Sequence, residues 1–552
     1  SFYCIEVGSS AVSRLTGAAV AQKDKKEIIT DMTENKKIAT WKGWALFAAV
    51  LAVVFCLGLF AASMLERRAE VVSVFNNKKV DLAPGEAHND AFEANYPREF
   101  KTWTETAETD FRSEYNGSEA VDVLDARPNM VILWAGYAFA WDYTTPRGHM
   151  HAVYDITRSL RTGSPGVEGG LTPQPSTCWT CKSPDVPRLM QEMGLKEYYA
   201  GNWGDPAWAA EVVNPIGCSD CHDAQTMDLR ISRPALKEAF ERQGKNIEEA
   251  SLQEMRTLVC AQCHVEYYFR NNEAEDKINY LTFPWDNGIT VEAIEEYYDN
   301  YTAETGKGGK PYYDYIHALS KTPILKAQHP GYETSQMGIH GQRGVSCADC
   351  HMPYISEGGV KYSDHHIQSP LANIDRTCQV CHRESEETLR ENVYDRQRKN
   401  DEIRTRLEAE LAAAHIEAKA AWDNGATEGE MEEALSEIRK GQWRWDFAVA
   451  SHGASFHAPQ EIARILAGGL DHAHLARLAL AKVLFKHGVE NVKVPTFKGK
   501  AEAQKFIEPS IMAKVGTIDK MEKDKAKFMN EVRPEWIKAA KASGKLTMEG
   551  LE

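Results

Sequence analysis

Ten of the twelve cysteines in this 552-residue chain fall in five Cys-x-x-Cys pairs. They are Cys178/Cys181, Cys218/Cys221, Cys260/Cys263, Cys347/Cys350 and Cys378/Cys381. A disulfide framework in a small secreted domain does not use one short spacing five times over. Only Cys4 and Cys56 are left over, and both precede the globular part. The five pairs lie between Cys178 and His382, in a stretch rich in Gly and Pro and short of long periodic runs. A chain of that texture is expected to pack around something other than its own side chains.

Four pairs are followed at once by histidine: Cys218-Ser-Asp-Cys221-His222, Cys260-Ala-Gln-Cys263-His264, Cys347-Ala-Asp-Cys350-His351 and Cys378-Gln-Val-Cys381-His382. Cys-x-x-Cys-His is the attachment motif of c-type haem. The two thiols add to the haem vinyl groups, and the histidine is set beneath the iron as an axial ligand. Zinc is the rival reading of paired cysteines, but zinc does not call for histidine directly after the second cysteine four times. The fifth pair reads Cys178-Trp-Thr-Cys181-Lys182. Alone it resembles a thioredoxin-type redox pair. Beside four haem motifs it reads as a fifth haem with Lys182 as axial ligand. An amine binds iron only when deprotonated, a form that burial and coordination both favour over its free pKa of about 10.4. A haem with such a ligand is expected to have a task different from the other four.

Haems that only carry electrons gain from two strong axial ligands, so four distal histidines are expected. Eighteen histidines less the four in the motifs leave fourteen. His149 in Pro-Arg-Gly-His, His340 in Gly-Ile-His-Gly, His365 in Ser-Asp-His and His457 in Phe-His-Ala-Pro stand in suggestive company. Any one of them alone also fits an ordinary surface or core histidine.

The chain is mainly α by pattern, with very little β. Residues 1–31 are polar and patternless; Met32 followed by Thr-Glu-Asn-Lys-Lys reads as a natural start, and 1–31 are set apart from the fold. Residues 32–68 hold an apolar run, Trp44 to Leu65, after Lys36, Lys37 and Lys42. Its length suits a membrane span, and the lysines favour export of the residues C-terminal to it. A cleaved signal peptide, with Ala61-Ala62-Ser63 near its end, and a buried core helix are the alternatives. Residues 69–383 form the haem-packed body. Residues 384–552 are helical: Glu384 to Trp422 is a run of good helix formers broken at Asn424-Gly425. Further helices are expected from about Glu428 towards His452, over Glu461 to Leu466 after Pro459, and over Ala476 to Phe485, with Pro495 and Pro509 punctuating the tail. A net charge of −16 argues against a nucleic-acid partner, while a local basic pocket still permits an anionic substrate.

From about residue 70 to the C-terminus the chain resembles the ammonia-forming cytochrome c nitrite reductases, which are pentahaem enzymes. The single Cys-x-x-Cys-Lys among four Cys-x-x-Cys-His motifs carries most of the resemblance. Cys263-His264-Val265-Glu266-Tyr267, Lys326-Ala327-Gln328-His329-Pro330 and Ser159-Leu160-Arg161-Thr162-Gly163 agree as well. The resemblance implies five covalent haems, with the lysine-ligated one catalytic and open on its distal face. It implies Arg161, Tyr267 and His329 over that face. It implies calcium beside them, held by Glu266, the Tyr267 and Lys326 backbones and Gln328. Distal ligands are implied as His149 to the third haem, His340 to the fifth, His365 to the second and His457 to the fourth. His366 adjoins His365; His365 is taken because it comes after Ser-Asp in the family manner.

Nitrite reduction to ammonium, six electrons at the lysine haem, is the function so implied. It would take place in the periplasm, in a homodimer joined by the long C-terminal helices and fed by a membrane-bound cytochrome that oxidises quinol. Arg161 would hold the anion, His329 would supply protons near neutral pH and Tyr267 would add a hydrogen bond. An electron-transfer cytochrome without substrate, and a reductase of sulfite or hydroxylamine, are the other readings. A wire has no use for Lys182 or for the Arg/Tyr/His trio.

Overall fold

The computed structural model describes residues 25–76, 78–171, 174–205, 208, 210–271, 278–301 and 311–549. The stretch 1–31 set apart by sequence therefore lies mostly outside the described residues, and its last part, from Lys25, begins a helix that runs to Asn76. The chain divides between Val74 and Phe75 into two compact units. Within the first, Thr40–Arg67 is long and apolar enough to cross a membrane, with mean hydropathy 2.7 and none of it buried.

The second unit is mainly α. Among the described residues its strands form three separate two-stranded antiparallel hairpins, each of which lies beside a predicted site residue. Tyr268–Asn271 pairs with Asn279–Thr282 directly after Tyr267. Tyr315–Ile316 pairs with Pro323–Ile324 just before Lys326. Tyr354–Glu357 pairs with Val360–Ser363 just before His365.

The C-terminal part opens with three long helices, Glu386–Asp423, Glu428–Ala450 and Pro459–Lys486. Each start has a local cause. Ser385 accepts from the Thr388 N–H, Thr427 and Glu430 form a capping box, and Pro459 takes the first helical position, where no N–H is needed. The break after Asp423 comes from Gly425, which sits at φ +88°. Leu411, Ala414, Ile438, Ala473 and Leu480 fill the seams between the three.

Two expectations are corrected. The separate helices over Glu461–Leu466 and Ala476–Phe485 are one helix running through Gly468-Gly469. These glycines serve close packing, not a break: a Cβ on Gly469 would lie 2.8 Å from Leu407 Cδ2, and one on Gly441 of the facing helix 3.1 Å from the Gly469 carbonyl oxygen. Pro509 does not end a helix; it lies inside Lys500–Val515.

Candidate functional site

The motifs are short turns that aim the residue after the second cysteine. In three histidine motifs its N–H bonds the carbonyl of the first cysteine at 2.9 Å: His222 to Cys218, His264 to Cys260 and His382 to Cys378. In the lysine motif the Lys182 N–H instead bonds Trp179 at 2.9 Å, one residue tighter, inside a turn seated on the buried Trp179. The motifs are also near neighbours. The Cys181 sulfur lies close to Cys263, and the Cys260 sulfur close to Cys347. The third motif thus touches both the first and the fourth.

The structure brings each predicted histidine pair together. Ring centres are 6.3 Å apart for His222 and His365, 6.4 Å for His264 and His149, 6.4 Å for His351 and His457, and 6.3 Å for His382 and His340. A metal held between two imidazoles at about 2 Å from each nitrogen puts the ring centres roughly 6 to 6.5 Å apart, so the spacing fits one iron per pair. The hydrogen bonds agree. The Nδ1–H of His222, His351 and His365 donates to the carbonyls of Met227, Gln368 and Ser363 at 2.7, 2.8 and 2.8 Å. That leaves each Nε2 lone pair for a metal. His366 points elsewhere, with its ring beside Gln368 and 3.7 Å from Glu105. Two distal candidates are mounted together. Gly338, at the start of the turn carrying His340, lies against the His457 carbonyl with no room for a Cβ, and the His340 ring stacks on Phe456 at 5.8 Å.

Around Lys182 the predicted trio converges. The rings of Tyr267 and His329 are 6.5 Å apart. Lys182 and Arg161 both act electrostatically on Cys178, and Lys182 acts on His329. Arg161 rides on a tight turn whose Leu160 N–H bonds Asp142 Oδ2 at 3.1 Å, and its guanidinium lies 4.9 Å over Phe139. Burial, then Lys182, holds the His329 imidazole well below the usual range. Burial also pushes the Tyr267 phenol up, so it stays a donor.

The predicted calcium set forms a knot of oxygens beside this trio. The Gln328 N–H donates to Glu266 Oε2 at 2.6 Å, and Gln328 Nε2 donates to the Lys326 carbonyl at 3.1 Å. Glu266 is fully buried; burial, with Glu333 and Asp314 nearby, raises its carboxyl well above the carboxylate range. A carboxylate, backbone carbonyls and a side-chain amide are the donors a hard cation takes, and a cation there would relieve the crowded acids. Among the described residues no group of three or more His, Cys, Asp or Glu could hold a metal, so such a site leans on carbonyls and the amide.

Sequence reading missed the residues that brace this knot. Tyr298 donates to Glu266 Oε1 at 3.1 Å, and Glu333 Oε1 accepts from the Glu266 N–H and from Trp285 Nε1 at 2.9 and 2.8 Å. Glu333 Oε2 is buried without a partner. Lys326 Nζ is paired with buried Asp446 at 2.7 Å. None of these lies in a motif, and no spacing signal marks them.

The chain is similar to known proteins. The family model described as cytochrome c552 matches residues 88–545. The cytochrome c-552 of Bacteroides thetaiotaomicron is 62% identical over 517 residues, covering 93% of this chain and all of that protein. That of Porphyromonas gingivalis is 60% identical over 514 residues, covering 93% of this chain and 99% of that protein. The solved catalytic subunit of the cytochrome c nitrite reductase of Desulfovibrio desulfuricans, described with two calcium sites, superimposes with a TM-score of 0.69. It is 32% identical, over 73% of this chain and 88% of that one. By the extent of the family match and the identity to its relatives, the chain belongs to the cytochrome c552 family.

Proposed function

We propose that the chain is a pentahaem nitrite reductase that takes nitrite to ammonium at the Lys182 haem. The observation that supports this reading is that Arg161, Tyr267 and His329 all lie near the first motif, the one that ends in Lys182 instead of histidine. The four histidine pairs, His222/His365, His264/His149, His351/His457 and His382/His340, are the proposed axial sets of the other haems. Taking nitrogen from +3 to −3 requires six electrons, and the contact of the third motif with the first and fourth gives them a short way in.

The haem at Lys182 would supply an iron that binds the nitrogen and passes electrons to it. The residues do the rest. Arg161, a fixed cation, holds the anion's oxygens. His329 hydrogen-bonds a departing oxygen and supplies protons to it as imidazolium, returning each time to the neutral ring. Tyr267 donates a second hydrogen bond. Calcium held by Glu266, the Tyr267 and Lys326 carbonyls and Gln328 fixes the chain on which Tyr267 and His329 ride.

The work is proposed to take place in the periplasm, with Thr40–Arg67 as signal or anchor, and a membrane-bound, quinol-oxidising multihaem cytochrome as donor. The homodimer contact is proposed on Pro459–Lys486, where Leu475, Leu478 and Phe485 are exposed. The test is direct: reduce the purified protein with excess artificial donor, add nitrite and quantify ammonium. No ammonium from a protein with all five haems intact and reduced would leave an electron-transfer role instead.

A further inference from the structure

One buried side chain outside every motif joins three of them. Arg233 is 1% exposed and stands just before the helix Pro234–Arg242. Its Nε donates to the Thr180 carbonyl at 2.8 Å and its Nη2 to the Ser183 carbonyl at 2.7 Å. Those two carbonyls flank Lys182 on either side. Its Nη1 donates to Ser232 Oγ at 2.7 Å and lies 2.6 Å from Asp220 Oδ1, inside the second motif. The Arg233 N–H donates at 3.1 Å to Oε1 of Gln262, inside the third motif, and Gln262 Nε2 donates at 2.8 Å to the Asp220 carbonyl. Thus one guanidinium and one carboxamide tie the first three motifs to each other.

A guanidinium taken out of water is costly unless its donors are met, and an apolar side chain of similar volume could fill the same space. What an apolar filler cannot do is hold two carbonyls in a fixed plane. Lysine also lacks the planar fork and cannot span both.

We propose that Arg233 is a positioning residue for Lys182. Its fork fixes the backbone on both sides of the lysine, and Asp220 with Gln262 references that backbone to the second and third motifs. The proposal rests on the reading of Lys182 as ligand of the catalytic haem. The Arg233–Asp220 pair also sits beside the Cys181 and Cys263 sulfurs, so the charge there bears on any haem attached through them.

Two variants separate geometry from charge. Arg233→Lys keeps the charge and loses the fork. Arg233→Met with Asp220→Asn removes both charges together and leaves no buried ion unpaired. In each holoprotein, mass spectrometry counts the attached haems, electron paramagnetic resonance reads the high-spin haem, and a redox titration reads the potentials. The expected result is five attached haems and four unchanged low-spin haems. The high-spin signal is altered or split, and kcat for nitrite falls on the order of 10- to 100-fold with KM little changed. Midpoint potentials stay near wild type in Arg233→Lys. A wild-type high-spin signal and wild-type kcat in either variant that holds five haems would overturn the proposal. A wild-type protein lacking any high-spin haem would instead overturn the proposed function beneath it, and this assignment with it.

Discussion

The imidazoles of His222 and His365 face each other with centres 6.3 Å apart, while the adjacent His366 turns towards Glu105. His365→Ala should therefore convert one low-spin haem to high spin in the absorption and paramagnetic resonance spectra. His366→Ala should leave the haem spectra as they are. The reverse result would move the ligand to His366.

The glycine pair in Pro459–Lys486 predicts opposite signs at neighbouring positions. A Cβ at Gly468 meets only Arg444 Cδ and Nε, both at 3.7 Å, an ordinary contact. Gly468→Ala should then gain up to about 1 kcal/mol from helix propensity. At Gly469 the Cβ would press on Leu407 Cδ2 at 2.8 Å and on Arg444 Cβ at 3.2 Å. Overpacking costs typically about 1–3 kcal/mol, so it outweighs the propensity gain and Gly469→Ala should destabilise. Thermal unfolding tracked by far-ultraviolet dichroism decides; equal shifts for both would show that the helices do not cross here.

Lys525 carries a pH dependence. It donates to the carbonyls of Thr157 and Gly163, on either side of the turn bearing Arg161, and burial lowers its amine to about 7. A lysine whose folded pKa lies below its unfolded value destabilises in full below the folded pKa. That penalty fades as pH rises towards about 10.4, where the unfolded chain too loses the proton. The midpoint of thermal unfolding of wild type should accordingly rise relative to Lys525→Met between pH 7 and 10. A constant gap across that window would show that the amine titrates normally.

Calcium loss should act on turnover before it acts on the haems. Glu266→Gln, or prolonged treatment with a strong chelator, should lower bound calcium and cut nitrite turnover by roughly ten- to a hundredfold. The low-spin haem spectra should stay intact. Full activity in calcium-free protein would remove the ion from the proposal.

Leu478 and Phe485 are 62% and 78% exposed on one long helix. Leu478→Glu with Phe485→Glu should shift the proposed dimer to monomer in sedimentation. An unchanged sedimentation coefficient would place the contact on another surface.

Chemistry decides which parts of the fold and site are legible in sequence. Haem attachment demands contiguous cysteines and the next residue, so the five motifs are plain in one dimension. The distal histidines are set by tertiary approach, and spacing alone does not separate His365 from His366. Nor does it separate either from His317 and His415, whose rings stack 3.6 Å apart on buried partners and face no motif. The helix start at Pro459 is legible in sequence, whereas Ser385 and Thr427 emerge as caps only in the structure. Gly468-Gly469 lie in the gap between the two expected helices, and the structure uses Gly469 for a close helix crossing. Arg233, Tyr298 and Glu333 are single residues in no pattern, and only their partners reveal them.

The contact of Gly338 with the His457 carbonyl has a mechanical meaning. The turn that presents His340 and the turn that presents His457 share a close backbone contact, so the two supports are coupled. On warming, the fourth and fifth haems should surrender their sixth ligands in one step, as a single latch opening.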